Sequence, residues 1–138
     1  MAAILLDTSF LVSLANIKDK HHALSVATLK HIREPLVLPV PVLPEVTYLL
    51  ATRLSHHAMR QFLRSLNQSD ILLESLSMRD LMRVSEILDT YGDTHLDFVD
   101  ASITAIAERQ DIQRILTFDR RDFSIIRPRH CDYFHILP

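Results

Sequence analysis

The sequence predicts an α/β fold, a three-layer α/β/α domain built on a central, mostly parallel sheet. Three observations carry that prediction. Short apolar runs rich in Ile and Leu, the first being Ala2-Ala3-Ile4-Leu5-Leu6, alternate with helical patterns, as buried strands of a parallel sheet do. Several apolar segments lead into carboxylates, at Asp7, Glu45, the Asp97/Asp100 pair and Asp119; ligands of open α/β sheets bind outside the carboxyl ends of the strands. The chain has a single glycine, Gly92, which excludes the Gly-rich phosphate loop and the dinucleotide fingerprint, since both need several glycines close together.

Residues 2–6 read as the first strand. Thr8 or Ser9 can cap a helix reaching Asn16, and a second helix spans about His21 to Ile32, with Ala23, Val26, Ala27 and Ile32 on its inner side. Leu36 to Leu38 form the second strand. Pro39, Pro41 and Pro44 stiffen the connection to a helix ending near Arg53, and Glu45 sits in its first turn, where an acid suits the positive end of the dipole. Ser55 caps the next helix, whose Met59, Phe62, Leu63 and Leu66 follow the core spacing while His57, Arg60 and Arg64 line another face. Residues 71–73 read as the third strand, 77–91 as an amphipathic helix, 98–109 as an Ala-rich helix, 114–118 as the fourth strand and 133–137 as the last, with a further helix before it. Right-handed crossovers join such parallel strands.

With 138 residues and 48% hydrophobic content, the chain is expected to fold as one domain over residues 1–138. One cysteine, Cys131, excludes an internal disulfide, no charged start precedes an apolar leader, and no apolar run approaches the roughly 20 residues of a membrane span; a cytoplasmic protein is expected. A net charge of −2 is unusual for a nucleic-acid binder. If Asp7, Glu45, Asp100 and Asp119 surround a cation, however, the remaining surface is mildly basic.

Any two full carboxylate charges about 4 Å apart repel by about 4 kcal/mol at an effective dielectric of about 20, so converging acids must protonate or hold a cation. Alone, Asp7 reads as a helix cap and Glu45 as a favourable first-turn charge; the repetition of acids at element ends points to metal. An all-oxygen donor set suits Mg²⁺ or Mn²⁺, and no Cys/His set at zinc spacing is present. A haloacid-dehalogenase-like phosphatase needs a second Asp where Ser9 stands, and a receiver domain needs a late lysine, whereas Lys30 is the last. Cys131 beside His130 reads as an incidental thiol, and His21 and His22 as surface helix residues.

Four segments then point further: LLDTSFLVSL from Leu5, LPEVTYLL from Leu43, LDFVDASITAIAER from Leu96 and ILTFDRRDF from Ile115. In this order and spacing they resemble the PIN-domain ribonucleases, and most of all the toxin component of VapBC toxin–antitoxin pairs, over nearly the whole chain. The resemblance implies metal-dependent hydrolysis of RNA phosphodiesters, with Asp7, Glu45, Asp100 and Asp119 as catalytic acids and ligands of Mg²⁺ or Mn²⁺, and Thr8 and Thr117 as neighbours that hydrogen-bond or orient water. Asp97 and Asp122 rank below these four: Asp97 caps the 98–109 helix and Asp122 pairs with Arg120 or Arg121 in their simpler readings, and Asp93 ranks lower too. Arg120, Arg121, Arg53 and Arg60 are the expected RNA contacts, with Arg64, His56 and His57 in the same acid-free stretch between Glu45 and Asp70; Arg127 and Arg129 can meet RNA or a partner. A small antitoxin protein and a homodimer are the implied partners, using helical faces within residues 9–32 and 44–66. The alternative is a catalytically inactive PIN-like RNA-binding or protein-interaction module.

Overall fold

A computed structural model describes residues 2–138; Met1, the first position of the expected domain, lies outside the described residues. Five strands, β1 (Ile4–Leu6), β2 (Leu36–Pro39), β3 (Leu72–Glu74), β4 (Arg114–Leu116) and β5 (His135–Leu137), form one sheet in the order β3-β2-β1-β4-β5. All four pairings are parallel, with Ile4 opposite both Leu36 and Arg114. The central strand is apolar at every position because both its faces are covered, and Ile4, Leu5 and Leu6 are buried. Each such side chain contributes about 1.5–3 kcal/mol through its removal from water.

Seven helices flank the sheet: α1 (Thr8–Ala15), α2 (His22–His31), α3 (Val42–Arg53), α4 (His56–Asn67), α5 (Met78–Thr90), α6 (Phe98–Gln110) and α7 (Arg120–Ile125). Helix α1 packs on α2 and α3, α3 packs on α4, and α5 packs on α6. Helix α6 is buried from Asp100 through Ala107, and its alanines let α5 approach closely through Val84 and Ile87. Ion pairs clamp the polar rim of that packing. Arg83 meets Glu108 at 2.7 Å, Arg109 bridges Glu74 at 2.8 Å and Asp80 at 3.0 Å, and Arg129 meets Glu86 at 2.8 Å.

Four details depart from the sequence reading. Asp7, not Thr8 or Ser9, occupies the N-cap position of α1, and its side chain makes no capping bond; the hydroxyl of Ser9 is drawn instead to β4's far end. The inner face of α2 is His22, Ser25, Leu29 and Ile32, with Ala23 and Ala27 exposed, because Ser25 Oγ lies 2.5 Å from Ser13 Oγ and fixes the rotation of the helix on α1. Hydrophobicity ranking overlooks a serine that finds a hydroxyl partner. On α4, capped by Ser55 as expected, no residue is fully buried and Leu63 is exposed, since its neighbours are only one helix deep. The first strand and the last begin later than read, at Ile4 and His135, and the fourth ends earlier, at Leu116.

Candidate metal-binding and active site

Parallel strands with helices between them bring the chain turns that follow β1, β2 and β4 to one edge of the sheet. There a pocket of about 270 Å³ is lined by seven carboxylates: Asp7, Asp19, Glu45, Asp97, Asp100, Asp119 and Asp122. Arg53, at the last turn of α3, is the one guanidinium in the lining. The four acids ranked first in the sequence therefore share one cavity although 112 positions separate Asp7 from Asp119.

Asp7 follows β1 directly and is held by a chain of hydroxyls. Thr117 Oγ1 donates to Asp7 Oδ2 at 2.6 Å and accepts the Asp119 N–H at 2.9 Å. With the only proton of Thr117 committed to Asp7, Ser9 Oγ, 3.1 Å away, must donate to Thr117, while accepting the Phe118 N–H at 2.9 Å. This network fixes the rotamer of Asp7 and the turn that carries Asp119. Burial pushes the Asp7 carboxyl up to about 6, against the Thr117 bond, which lowers it; the charges of Asp119 and Glu45 add to the rise.

Asp100 and Asp97 form a reciprocal capping box at the start of α6: Asp97 Oδ1 accepts the Asp100 N–H at 3.0 Å, and Asp100 Oδ2 accepts the Asp97 N–H at 3.3 Å. Asp97 is thus the helix cap its simpler reading describes, yet it also lines the pocket. Burial first, then the Asp97 charge, pushes Asp100 up to about 8, with Asp7 and Asp119 contributing. Asp119 caps α7 by accepting the Asp122 N–H at 3.3 Å.

One oxygen each from Asp100, Asp119 and Asp122 lie within 4.8 Å of one another. This corrects the surface role given to Asp122. Among the described residues it makes no close ion pair with Arg120 or Arg121; the Arg121 charge acts to lower its pKa, but burial and the Asp119 contact outweigh that and raise it. Glu45, half-buried in the first turn of α3, lines the same pocket and makes no side-chain hydrogen bond among the described residues.

A divalent cation fits these residues on two counts. The donors are hard oxygens whose mutual repulsion is relieved by a positive ion. Thr8 Oγ1, buried and without a hydrogen-bond partner, borders the same cavity and is placed to bond a water of the ion's shell. Thr117, by contrast, is wholly occupied with Asp7, Ser9 and Asp119.

The basic residues expected near the edge divide. Arg53 lines the pocket. Arg120 is turned to the backbone carbonyl of Pro138, Arg121 is exposed, and Arg60 and Arg64 project from the exposed face of α4 with His56 and His57. Arg127 bonds the carbonyls at the end of α7 and stacks on Tyr133, and Arg129 is engaged with Glu86 and Glu108, so both serve the fold. Asp93 is exposed outside the pocket. Burial raises the Cys131 thiol, and His130 Nε2 bonds the Ile112 carbonyl at 2.6 Å, an arrangement that generates no thiolate.

Asp19 escaped the sequence reading, and His21, read there as a surface helix residue, lines the pocket instead; both lie in the turn before α2. Asp19 Oδ1 accepts the His21 N–H at 2.8 Å, an Asx turn that Asp-Lys-His ahead of a helix could have signalled. Its return to the pocket is a tertiary event.

A family model, that of the PIN domain, matches residues 4–127. A curated relative, Ribonuclease VapC26 of Mycobacterium tuberculosis, is 29% identical over 135 residues, spanning 98% of this chain and 100% of that protein. The crystal structure of Mycobacterium tuberculosis VapC20, a Sarcin-Ricin loop cleaving toxin, is similar with a TM-score of 0.80 at 24% identity, covering 86% of this chain and 91% of that one. VapBC2 from Rickettsia felis, bound to a DNA fragment from its promoter, is similar with a TM-score of 0.70 at 15% identity over 99% of both chains. At these identities the two structures speak to fold alone. Among the described residues no helix is long and apolar enough to cross a membrane.

Proposed function

Because the chain belongs to the PIN domain family, we propose that it is an Mg²⁺- or Mn²⁺-dependent endoribonuclease, one domain over residues 1–138, acting in the cytoplasm as the toxin of a toxin–antitoxin pair. One observation carries the reading: seven carboxylates line a single pocket with one guanidinium among them, and two of those acids, Asp7 and Asp100, are pushed far above the ordinary carboxylate range. The near full-length match to a ribonuclease supports RNA as substrate.

In this reading Asp7, Asp100 and Asp119, with Asp122 beside them, hold the cation, which when bound offsets phosphate charge and makes water more acidic. Glu45, with no hydrogen-bond partner of its own among the described residues, orients the attacking water and takes its proton. The water oxygen bonds phosphorus as the bond to the 3′ oxygen breaks, and that oxygen takes a proton from solvent water as it leaves. Thr117 keeps Asp7 in place, Thr8 orients water, and Asp97 holds Asp100 at the helix start. Arg53, Arg121, Arg60 and Arg120 attract the RNA backbone.

An antitoxin segment and a second copy of the chain are the proposed protein partners. A second, largely apolar pocket of about 370 Å³ between α1 and α4, bordered by Leu11, Leu14, Phe62 and Leu66, supports such docking.

Incubation of total RNA with the purified chain and Mg²⁺ or Mn²⁺, beside EDTA and Asp100→Asn, tests the reading. Discrete fragments that vanish in both controls are expected. Absence of cleavage by folded, partner-free protein would favour the inactive binding module.

A further inference from the structure

The phosphate of a bound RNA has an obvious destination in this pocket, but a nucleobase, neutral and flat, needs a different surface. Among the fifteen lining residues only two carry rings, His21 and Phe118. They are stacked face to face, with centroids 4.0 Å apart and planes 7° from parallel. Phe118 stacks in turn on Phe10, at 6.2 Å and 19°, and Phe10 is fully buried. Three rings therefore form a ladder that starts in the core beneath the sheet edge and ends, at His21, in the lining of the acidic cavity.

Each rung is held by something other than the stack. Phe118 is fixed by its N–H bond to Ser9 Oγ at 2.9 Å, and lies between Thr117 and Asp119 of the site itself. His21 is fixed by its N–H bond to Asp19 Oδ1, while its imidazole makes no hydrogen bond among the described residues. The imidazole face turned away from Phe118 has no ring partner among the described residues. A histidine retained for helix packing would point inward with Ser25 and Leu29, as His22 does, whose Nδ1 lies 2.8 Å from the Ser13 carbonyl oxygen. His21 instead departs from that face to border the cavity.

We infer that His21, backed by Phe118 and Phe10, is a stacking platform for an unpaired base of the RNA next to the phosphodiester that is cut. The inference rests on the ribonuclease reading and adds to it a residue that positions the substrate by stacking on an unpaired base. Every ring face can receive a base, and the neutral base is spared the repulsion that its own phosphate would meet from Asp7, Asp97 and Asp100. Stacking one base fixes the adjoining phosphate relative to the acids, which is a positioning role and not a catalytic one.

Two readouts test this. The first is cleavage of total RNA in Mn²⁺ by wild type, His21→Ala and His21→Phe. Cleavage is expected to fall about tenfold in His21→Ala, in line with the loss of one stacked base, and to return to within about threefold of wild type in His21→Phe. The second is a single-stranded RNA 12-mer carrying 2-aminopurine, added to Asp100→Asn protein, which binds without cutting. Its fluorescence is quenched by stacking, and the quench should disappear on adding His21→Ala and reappear with His21→Phe, circular dichroism showing each variant folded. Equal cleavage and equal quenching in His21→Ala would overturn the platform while leaving the nuclease intact. If His21→Phe behaved like His21→Ala, a ring face would not be what RNA meets, and the inference would fall as well. If wild type cut nothing, the ribonuclease reading would fail by itself, and the quench would still decide whether a base stacks on His21.

Discussion

The molecule holds two groups of buried or half-buried acids, and they are treated in opposite ways. At the α5–α6 rim, Asp80 and Glu108 face Arg109 and Arg83, and those guanidinium bonds hold both carboxyls below their ordinary values. At the sheet edge, burial first and then the neighbouring acids push Asp7 and Asp100 up. All four are carboxylates, and two things set the groups apart: deeper burial at the sheet edge and guanidinium countercharge at the rim. Where it supplies arginine the acid serves the fold; where it withholds it, the fold stands ready for an ion from solution.

The sharpest way to break this contrast is to remove one acid from each group. Asp100→Asn should lower RNA cleavage by about 100-fold or more while leaving the circular dichroism spectrum unchanged, since losing a ligand costs at least as much as losing an outer-shell partner. Saturating Mn²⁺, at about 100 times its dissociation constant, should stabilise the wild type by about 2.7 kcal/mol in thermal denaturation and Asp100→Asn by much less. Arg109→Ala makes the reverse change: it should cost about 2 kcal/mol of stability by leaving Asp80 buried and unpaired, with kcat for cleavage nearly unaltered. Thr117→Val, which strips Asp7 of its donor without removing an acid, should reduce cleavage about tenfold.

The smallest effect is the most diagnostic. Asp7 and Asp100 bind protons more tightly in the folded chain than their ordinary value of 3.8, so metal-free protein should lose stability as pH rises from about 4 through about 6 and about 8. Asp80 and Glu108 do the opposite. Their contribution is complete above their ordinary values of 3.8 and 4.5 and is lost as pH falls through the lower folded values. A melting-temperature profile of metal-free protein should therefore peak near pH 4 to 5; Asp100→Asn should flatten its alkaline limb and Asp80→Asn its acid limb. A profile unmoved by either substitution would erase the distinction between the two groups.

Much of this was legible in the chain. Strands are apolar where both faces are covered, so Ile4 to Leu6 and Ile115 to Leu116 announce themselves, and Ser55 and Asp97 mark helix starts by capping chemistry alone. The convergence of Asp7, Glu45, Asp100 and Asp119 could be read from parallel topology, because each follows or adjoins an element that ends at the same edge. What escaped depended on partners far away in sequence. Ser25 turned inward for Ser13, Ser9 left its helix cap for Phe118, and His21 found Phe118 across the fold. Asp122 was underweighted because a short helix after a strand gives too few residues for periodicity to show which way it faces.

The bond from Thr117 to Asp7 spans 110 positions, and it has a consequence for how the protein is born. A ribosome adds about 5–20 residues per second, so the first acid waits roughly 5–20 s for the hydroxyl that will orient it and for Asp119 just beyond. Until that stretch emerges, β1 lacks its β4 neighbour and the pocket lacks a wall. A stalled or truncated polypeptide ending before β4 therefore lacks Thr117, Asp119 and Asp122, and the acidic pocket is complete only once β4 and α7 have been made.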